Sequence, residues 1–260
     1  MNFKGQGQVW ATVLVYLVLA FVLTSKAWLS NDALVGVVDP VDRAGTIWVS
    51  WWTGEALSQG MSPFFGSQNF FPTGQHPVAQ YNILDALFFA PLIHFFGPRT
   101  GYNLAATLTL ASTAGAMHYL ARSVGLRPVA ALVAGVTLAT SGFLLLEIGC
   151  GRLSQALLLF WLFALSGILR IQAGNGTLRL SVLTGIAAAA STLIYWYYGI
   201  FLGIVGVLVW STAANRTPKP AWTQITAACA VCLAICLPFV FLLAGQLPGV
   251  ERPTESWISY

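Results

Sequence analysis

Tyr81-Asn-Ile-Leu-Asp-Ala-Leu-Phe-Phe-Ala-Pro-Leu-Ile-His-Phe-Phe96 decides how this chain is threaded. If the stretch crosses a membrane, the basic linker Arg122-Ser-Val-Gly-Leu-Arg127 falls outside, with Arg170 and Arg179 after it. If it lies at the surface, Lys4, Arg122, Arg127, Arg170, Arg179, Arg216 and Lys219 all share the cytoplasmic side. Lys and Arg in short loops set orientation, so the second threading is preferred. It also sends Asp32, Asp39, Asp42, Glu55, Asp85, Glu147, Glu251 and Glu255 to the opposite side, although acidic residues weigh little in that rule.

A membrane enters the argument through composition. Hydrophobic residues make up 57% of the 260 positions and charged residues 8%, against about 25% charged in soluble domains. The mean hydropathy is +0.74. Backbone amides in hydrocarbon must be paired within their own segment, and the apolar runs show no period-2 alternation, so an all-α integral membrane protein is expected. The runs are Val9–Thr24, Gly101–Ala121, Val129–Leu146, Ser154–Ile171, Ser181–Tyr195, Gly199–Thr212 and Ala221–Ala244. They predict a bundle of about seven transmembrane helices in one domain spanning 1–260. Ser181–Tyr195 and Gly199–Thr212 are short for a core about 30 Å thick, and read equally as one hairpin dipping at Tyr195-Trp-Tyr-Tyr198. Met1–Lys26 reads as an uncleaved anchor, because Thr24-Ser-Lys-Ala27 is a poor cleavage site.

Residues 25–100 form a long outer loop in this scheme. Arg43–Gln59 puts Ile47, Trp48, Trp51 and Trp52 on one helical face and Ser50, Thr53, Ser58 and Gln59 on the other, which predicts a helix lying in the interface on its tryptophans. Tyr81–Phe96 predicts a second interfacial helix ended by Gly97-Pro98. Between them, the loop around Asn69–Pro72 is rich in turn residues.

The acidic cluster Asp39-Pro-Val-Asp42-Arg43 is the main functional lead. Its plainest reading is a turn with a helix N-cap, favoured at the positive end of the helix. Glu147 and Arg152, flanking Gly149 and Gly151, read most simply as a surface pair. Tyr195, Trp196, Tyr197 and Tyr198 fit an aromatic belt or a sugar-stacking platform. His118 reads as a packing residue and His94 as interfacial, while His76 sits in the turn-rich loop, so no histidine metal site is expected. Cys229, Cys232 and Cys236 repeat at helical spacing within an apolar run and behave there as small apolar residues; Cys150 has no evident partner. Phosphate-loop, dinucleotide and nucleophile-elbow motifs are absent, and no basic patch suggests nucleic acid.

Taken in order, several segments resemble the GT-C glycosyltransferase superfamily of multi-span bacterial membrane proteins. They are an initial anchor, Asp39-Pro40, Trp48-Val-Ser-Trp-Trp-Thr-Gly-Glu55, Asn69-Phe-Phe-Pro72-Thr-Gly and Gly101-Tyr-Asn-Leu. Tyr119-Leu-Ala-Arg122, Gly151-Arg-Leu-Ser-Gln155-Ala and Tyr195-Trp-Tyr-Tyr-Gly199 follow. The resemblance covers roughly Val9 to Phe241, the N-terminal half of such proteins, and the end of the chain, with no closing element after the last run, reads the same way. It implies an enzyme of the bacterial inner membrane, transferring a sugar from a polyprenyl-phosphate donor to an acceptor on the non-cytoplasmic face.

By the same resemblance Asp39 holds the position of the catalytic acidic residue, with Asp42 second. Transfer needs an acceptor deprotonated or oriented at the anomeric carbon, which a carboxylate can do. The phosphate leaving group gains charge, and a guanidinium can hold two of its oxygens. Asp39 is therefore the expected base and Arg152 the expected phosphate clamp, with Arg43, Glu147, Gln155 and Tyr195–Tyr198 completing the substrate surface. No cofactor is fixed by the pattern. A divalent cation is the one that paired acidic residues would admit, and only Glu147 can supply the second member of the pair. The alternatives are a transporter or flippase of a lipid-linked saccharide, and a fragment or scaffold without activity. A transporter usually keeps polar or ionisable residues within its spans near the midplane, and there these runs offer only Thr, Ser and Asn103.

Overall fold

In the computed structural model, residues 3–30, 33–36, 38–66, 76–77, 83–213 and 222–246 are described. Asp32, the Asn69–Pro72 segment, Tyr81, Arg216, Lys219, Glu251 and Glu255 lie outside them. The described residues are helical apart from short links and one antiparallel pair, β1 (Phe65–Gly66) with β2 (His76–Pro77). The helices are α1 (Phe3–Leu23), α2 (Ser25–Leu29), α3 (Pro40–Ser58), α4 (Ile83–Ser123), α5 (Pro128–Ala139) and α6 (Gly142–Cys150). After these come α7 (Leu153–Ala156), α8 (Leu159–Arg170), a π turn (Ile171–Asn175), α9 (Leu178–Ile194), α10 (Trp196–Ala213) and α11 (Trp222–Gln246).

Side-chain contacts fix how the helices alternate. Tyr16 of α1 reaches His118 near the end of α4, and its hydroxyl donates to the Leu132 carbonyl of α5. Farther along, Thr24 meets Thr107 at 3.0 Å, so α1 and the second half of α4 run in opposite directions. The end of α8 meets the end of α4, where Arg170 donates to the Tyr119 hydroxyl and Ser166 to Ser123. Gln172 donates to the Val209 carbonyl of α10, and Gly176 lies against Gln224 of α11. Arg122, Arg127, Arg170 and Arg179 thus belong to one end of the bundle. The ends of α6 and α9 and the starts of α3, α7 and α10 belong to the other.

Close approaches hold the pairs together, because small residues let backbones meet. A Cβ on Gly185 of α9 would collide with the Ala228 carbonyl of α11, and one on Gly167 of α8 with Thr184 Oγ1 of α9. At the second end, the buried amide of Asn103 clasps the segment after α2. Its Oδ1 accepts from the Val35 amide at 2.9 Å, and its Nδ2 donates to the Ala27 and Ala33 carbonyls.

One expected boundary changes. The helix read from Arg43 starts at Pro40, because Asp39 caps it and proline suits the first helical position. Ser50 and Thr53 are 1% and 0% exposed, whereas Trp51 is 37% exposed. Small side chains let α3 settle on α4, where a Cβ on Gly54 would stand 3.5 Å from Ala90 Cβ. Trp52 is buried as well, its indole donating to the Pro63 carbonyl. Residues 83–96 are broken from the rest of α4 at Gly97, at φ 76° and ψ 164°, where the sequence ends its second outer helix. One face packs against the bundle, burying Ile83, Asp85, Ala86, Phe89, Ala90 and Ile93, while Leu87, Phe88, Phe95 and Phe96 stay exposed. The chain doubles back so tightly that a Cβ on Gly101 would meet Leu92 and Ile93 backbone atoms at 2.5–2.6 Å.

By length and composition, Leu153–Asn175 and Trp222–Leu242 could each cross a membrane. Pro128–Ala139 with Gly142–Cys150, bent by 41°, makes a third if counted as one broken span. Gly7–Leu23, Leu178–Ile194 and Trp196–Ser211 are apolar but shorter. Two or three crossings are therefore supported out of the roughly seven expected. A one-sided groove of about 540 Å³ opens between α1, α4 and α8, walled by Tyr16, Phe88, Phe89, Thr109, Phe160 and Phe163.

Two stability measurements follow from the buried polar groups. Asn103→Ala strands three backbone groups and is expected to cost about 1–3 kcal/mol, seen as a lower melting temperature in detergent; an unchanged value would mean that the clasp is dispensable. Asp85, ahead of the Gly97 break, has its carboxyl raised from 3.8 to about 8 by burial. The folded state therefore binds a proton that the unfolded chain has lost, and stability falls as pH rises from 3.8 through about 8. Melting curves across that range should show this decline for the natural chain, and Asp85→Asn should flatten it.

Candidate functional site at the acidic end

Asp39 precedes Pro40 with extended backbone at φ −130° and ψ 108°, the usual state of a residue that enters a helix from outside. Its Oδ1 accepts the amides of Val41 at 2.8 Å and Asp42 at 3.4 Å. The simple capping reading therefore describes Asp39. A base role there would fall to Oδ2.

Asp42 sits in the first turn of α3 and makes a different bond: Arg152 Nε donates to its Oδ2 at 2.6 Å. This joins side chains 110 positions apart in sequence. The same guanidinium stands 3.9 Å from Glu147 Oε2 through Nη1. Arg152 is therefore shared between two carboxylates, and Asp42, not Glu147, is its close partner. Glu147 is 7% exposed, and its Oε2 has no hydrogen-bond partner among the described residues. The Asp42 hydrogen bond, then the charges of Asp42, Cys150 and Glu147, raise the Arg152 pKa.

The link from α6 to α7 is shaped to receive α3. Gly151 closes α6 in the left-handed region at φ 80°, and a Cβ there would collide with Arg43 Cβ at 2.5 Å. Thr46 donates to the Gly151 carbonyl at 2.9 Å, and the Val38 amide to the Gly149 carbonyl at 3.0 Å. Arg43 Nη1 turns back to the Gly36 carbonyl instead of facing the carboxylates. Arg152 itself is anchored by its backbone, its amide donating to the Glu147 carbonyl at 2.9 Å and its carbonyl accepting from Gln155 and Ala156. Its side chain is held by Asp42 and Glu147.

The aromatic junction between α9 and α10 borders this cluster. Tyr195 is extended, and its ring lies 5.3 Å from Tyr197 and 5.1 Å from Tyr198. Burial pushes the Tyr195 hydroxyl up, with lesser contributions from Tyr197 and Glu147, so Tyr195 lies within the field of the cluster. The Tyr198 hydroxyl donates to the Gln155 carbonyl, which leaves the Gln155 backbone, not its side chain, as the contact with this junction. Tyr197 is exposed, and the Trp196 indole nitrogen is buried without a partner among the described residues.

The structure thus gathers Asp42, Glu147 and Arg152, sets Asp39 at the adjoining helix start, and turns Arg43 away. Among the described residues no group of three or more His, Cys, Asp or Glu side chains is placed to hold a metal ion. His118 pairs with Tyr16 at the opposite end. Sequence reasoning missed Thr46 and Gly36 as seam residues. Gly36 holds φ 84° with Ile148 and Gly149 carbonyls 2.6–2.7 Å from where a Cβ would stand. No spacing signal near Gly36 points to a segment more than a hundred residues away. No protein-family model, curated protein or solved structure matches the chain.

Removing the cap separates the structural job of Asp39 from any other. Asp39→Ala is expected to cost about 0.5–2 kcal/mol and Asp39→Asn only a small fraction of that, since asparagine caps as well as aspartate. Thermal melts of the two variants would reveal equal losses if the cap were unimportant.

Proposed function

We propose that this chain is the membrane portion of a glycosyltransferase that moves a sugar from a polyprenyl-phosphate donor to an acceptor on the non-cytoplasmic face of the bacterial inner membrane. The observation that carries the reading is the clasp of Arg152 between Asp42 and Glu147 beside a tyrosine-lined junction. A half-exposed guanidinium on a pinned backbone can engage phosphate oxygens, and carboxylates beside it can orient or deprotonate an acceptor.

Threading supports the same assignment. Four described arginines outside the cluster, Arg122, Arg127, Arg170 and Arg179, gather at the end opposite the carboxylates, as the positive-inside rule asks of a cytoplasmic end, while Arg99 lies at the acidic end against the Ser30 and Ala33 carbonyls. Seven helical passes, α1, the second half of α4, α5 with α6, α7 with α8, α9, α10 and α11, alternate between these ends, and we read each as a crossing. In this arrangement Arg152 stabilises the charge that develops on the departing phosphate. Asp39 Oδ2 takes the proton of the acceptor, and Tyr195 to Tyr198 flank the sugar.

The test uses the full-length protein in proteoliposomes with a radiolabelled polyprenyl-phosphate sugar. Transfer to acceptor is expected, falling about 10²-fold or more in Arg152→Ala. Asp39→Asn should lose transfer while keeping its melting temperature. If labelled donor crosses the bilayer with no bond made, the chain is a transporter and the reading fails.

A further inference from the structure

The bridge between Asp42 and Arg152 competes for the very guanidinium that a phosphate would need. Asp42 Oδ2 occupies Nε at 2.6 Å, on the edge that presents a two-pronged fork to an anion. Both side chains are about 40% exposed, at 39% for Arg152 and 41% for Asp42, so solvent reaches the bridge and holding it contributes little to stability. Two features let it open without disturbing the fold. The backbone of Arg152 is fixed by its own hydrogen bonds, and Asp42 lies in the first turn of α3, where the positive helix end steadies its charge without Arg152. Glu147 stays beside Nη1 with a buried, unpartnered oxygen, so it keeps the guanidinium at the site and adds to the charge that an arriving anion must overcome.

Resting on the transferase reading, we propose that Asp42 is a specificity-determining counter-ion that withholds Arg152 from a singly charged phosphodiester and yields it to a doubly charged phosphate monoester. The sugar donor is a phosphodiester with one negative charge. As the anomeric carbon–oxygen bond breaks, its electron pair passes to the phosphate oxygen and the ester becomes a dianion. The acceptor oxygen forms the new bond to that carbon and gives its proton to the carboxylate base. Arg152 therefore changes partner as the second charge appears, and its interaction is stronger in the transition state than with bound donor, which is the condition for raising turnover.

Binding of geranyl phosphate, methyl geranyl phosphate and inorganic phosphate to the full chain in nanodiscs tests this. The natural protein should bind the monoester about tenfold more tightly than the methyl diester. Asp42→Asn should bind the diester several-fold more tightly than the natural protein does, narrowing that gap, and Arg152→Ala should lose both ligands. Unchanged or weaker diester binding in Asp42→Asn, with the monoester still bound by the natural protein and lost in Arg152→Ala, overturns the counter-ion role and leaves the phosphate clamp standing. Equal monoester binding by the natural protein and Arg152→Ala overturns the clamp itself. Inorganic phosphate competing as well as geranyl phosphate would make this a free-anion site and overturn the lipid-linked ligand. Melting temperatures confirm that each variant is folded, and Asp42→Ser repeats the measurement if Asp42→Asn is not.

Discussion

In a chain this apolar, a backbone amide that leaves its helix must find another partner nearby, and that requirement sorts the molecule into helices and a few costly breaks. Four of the breaks are at Gly97, at Thr140 and Ser141, at Gly151 and at Tyr195. Two of them show how the freed amides are met. Ser141 accepts the Leu144 amide, and the amides of Gly151 and Arg152 turn back to Ile148 and Glu147 carbonyls. Two of the four, Gly151 and Tyr195, border the cluster around Arg152. The polar side chains collect there because a helix end is where an apolar bundle has backbone left to satisfy and room to place charge.

The helical architecture was legible because apolar runs without alternation admit little else, and the helices follow those runs closely. The faces were less legible. Trp48, Trp51 and Trp52 marked the face suited to headgroups, but the side of α3 set on α4 is chosen by how near the two axes can come, which favours Ser50, Thr53 and Gly54. Residues 83–96 are a related case. Their composition suits a membrane surface as well as a bundle interior, and the reversal at Gly97 sets one face against the bundle while the other stays exposed.

The candidate site shows the same division. Residue types and order singled out Asp39, Asp42, Glu147 and Arg152 without saying which pairs would form. The cap at Asp39 is local chemistry, readable from Asp-Pro at a helix start. The bond between Asp42 and Arg152 is not local, since it depends on a seam between the start of α3 and the link after α6. Charge counting would pair Arg152 with Glu147 five positions away. Instead the backbone of Glu147 receives the Arg152 amide while its carboxylate stays 3.9 Å from the guanidinium.

That seam explains why the cluster takes the form it does. Gly36 and Gly151 hold backbone conformations with φ of 84° and 80°, and each leaves less than 3 Å where a side chain would begin. With a Cβ at either position, α3 would stand off from the α6–α7 link, and a 2.6 Å bond across the seam has no slack to follow it. The two glycines are therefore as much a part of the arrangement as the charged residues, although neither carries any chemistry. They bring the positive end of α3 against Arg152, so that Asp42 is steadied from two directions while Arg152 is steadied by two carboxylates. A guanidinium held this way costs little to keep in place and little to release. The phosphate clamp proposed for Arg152 needs both properties; a guanidinium locked in a dry, fully satisfied bridge would have lost the second.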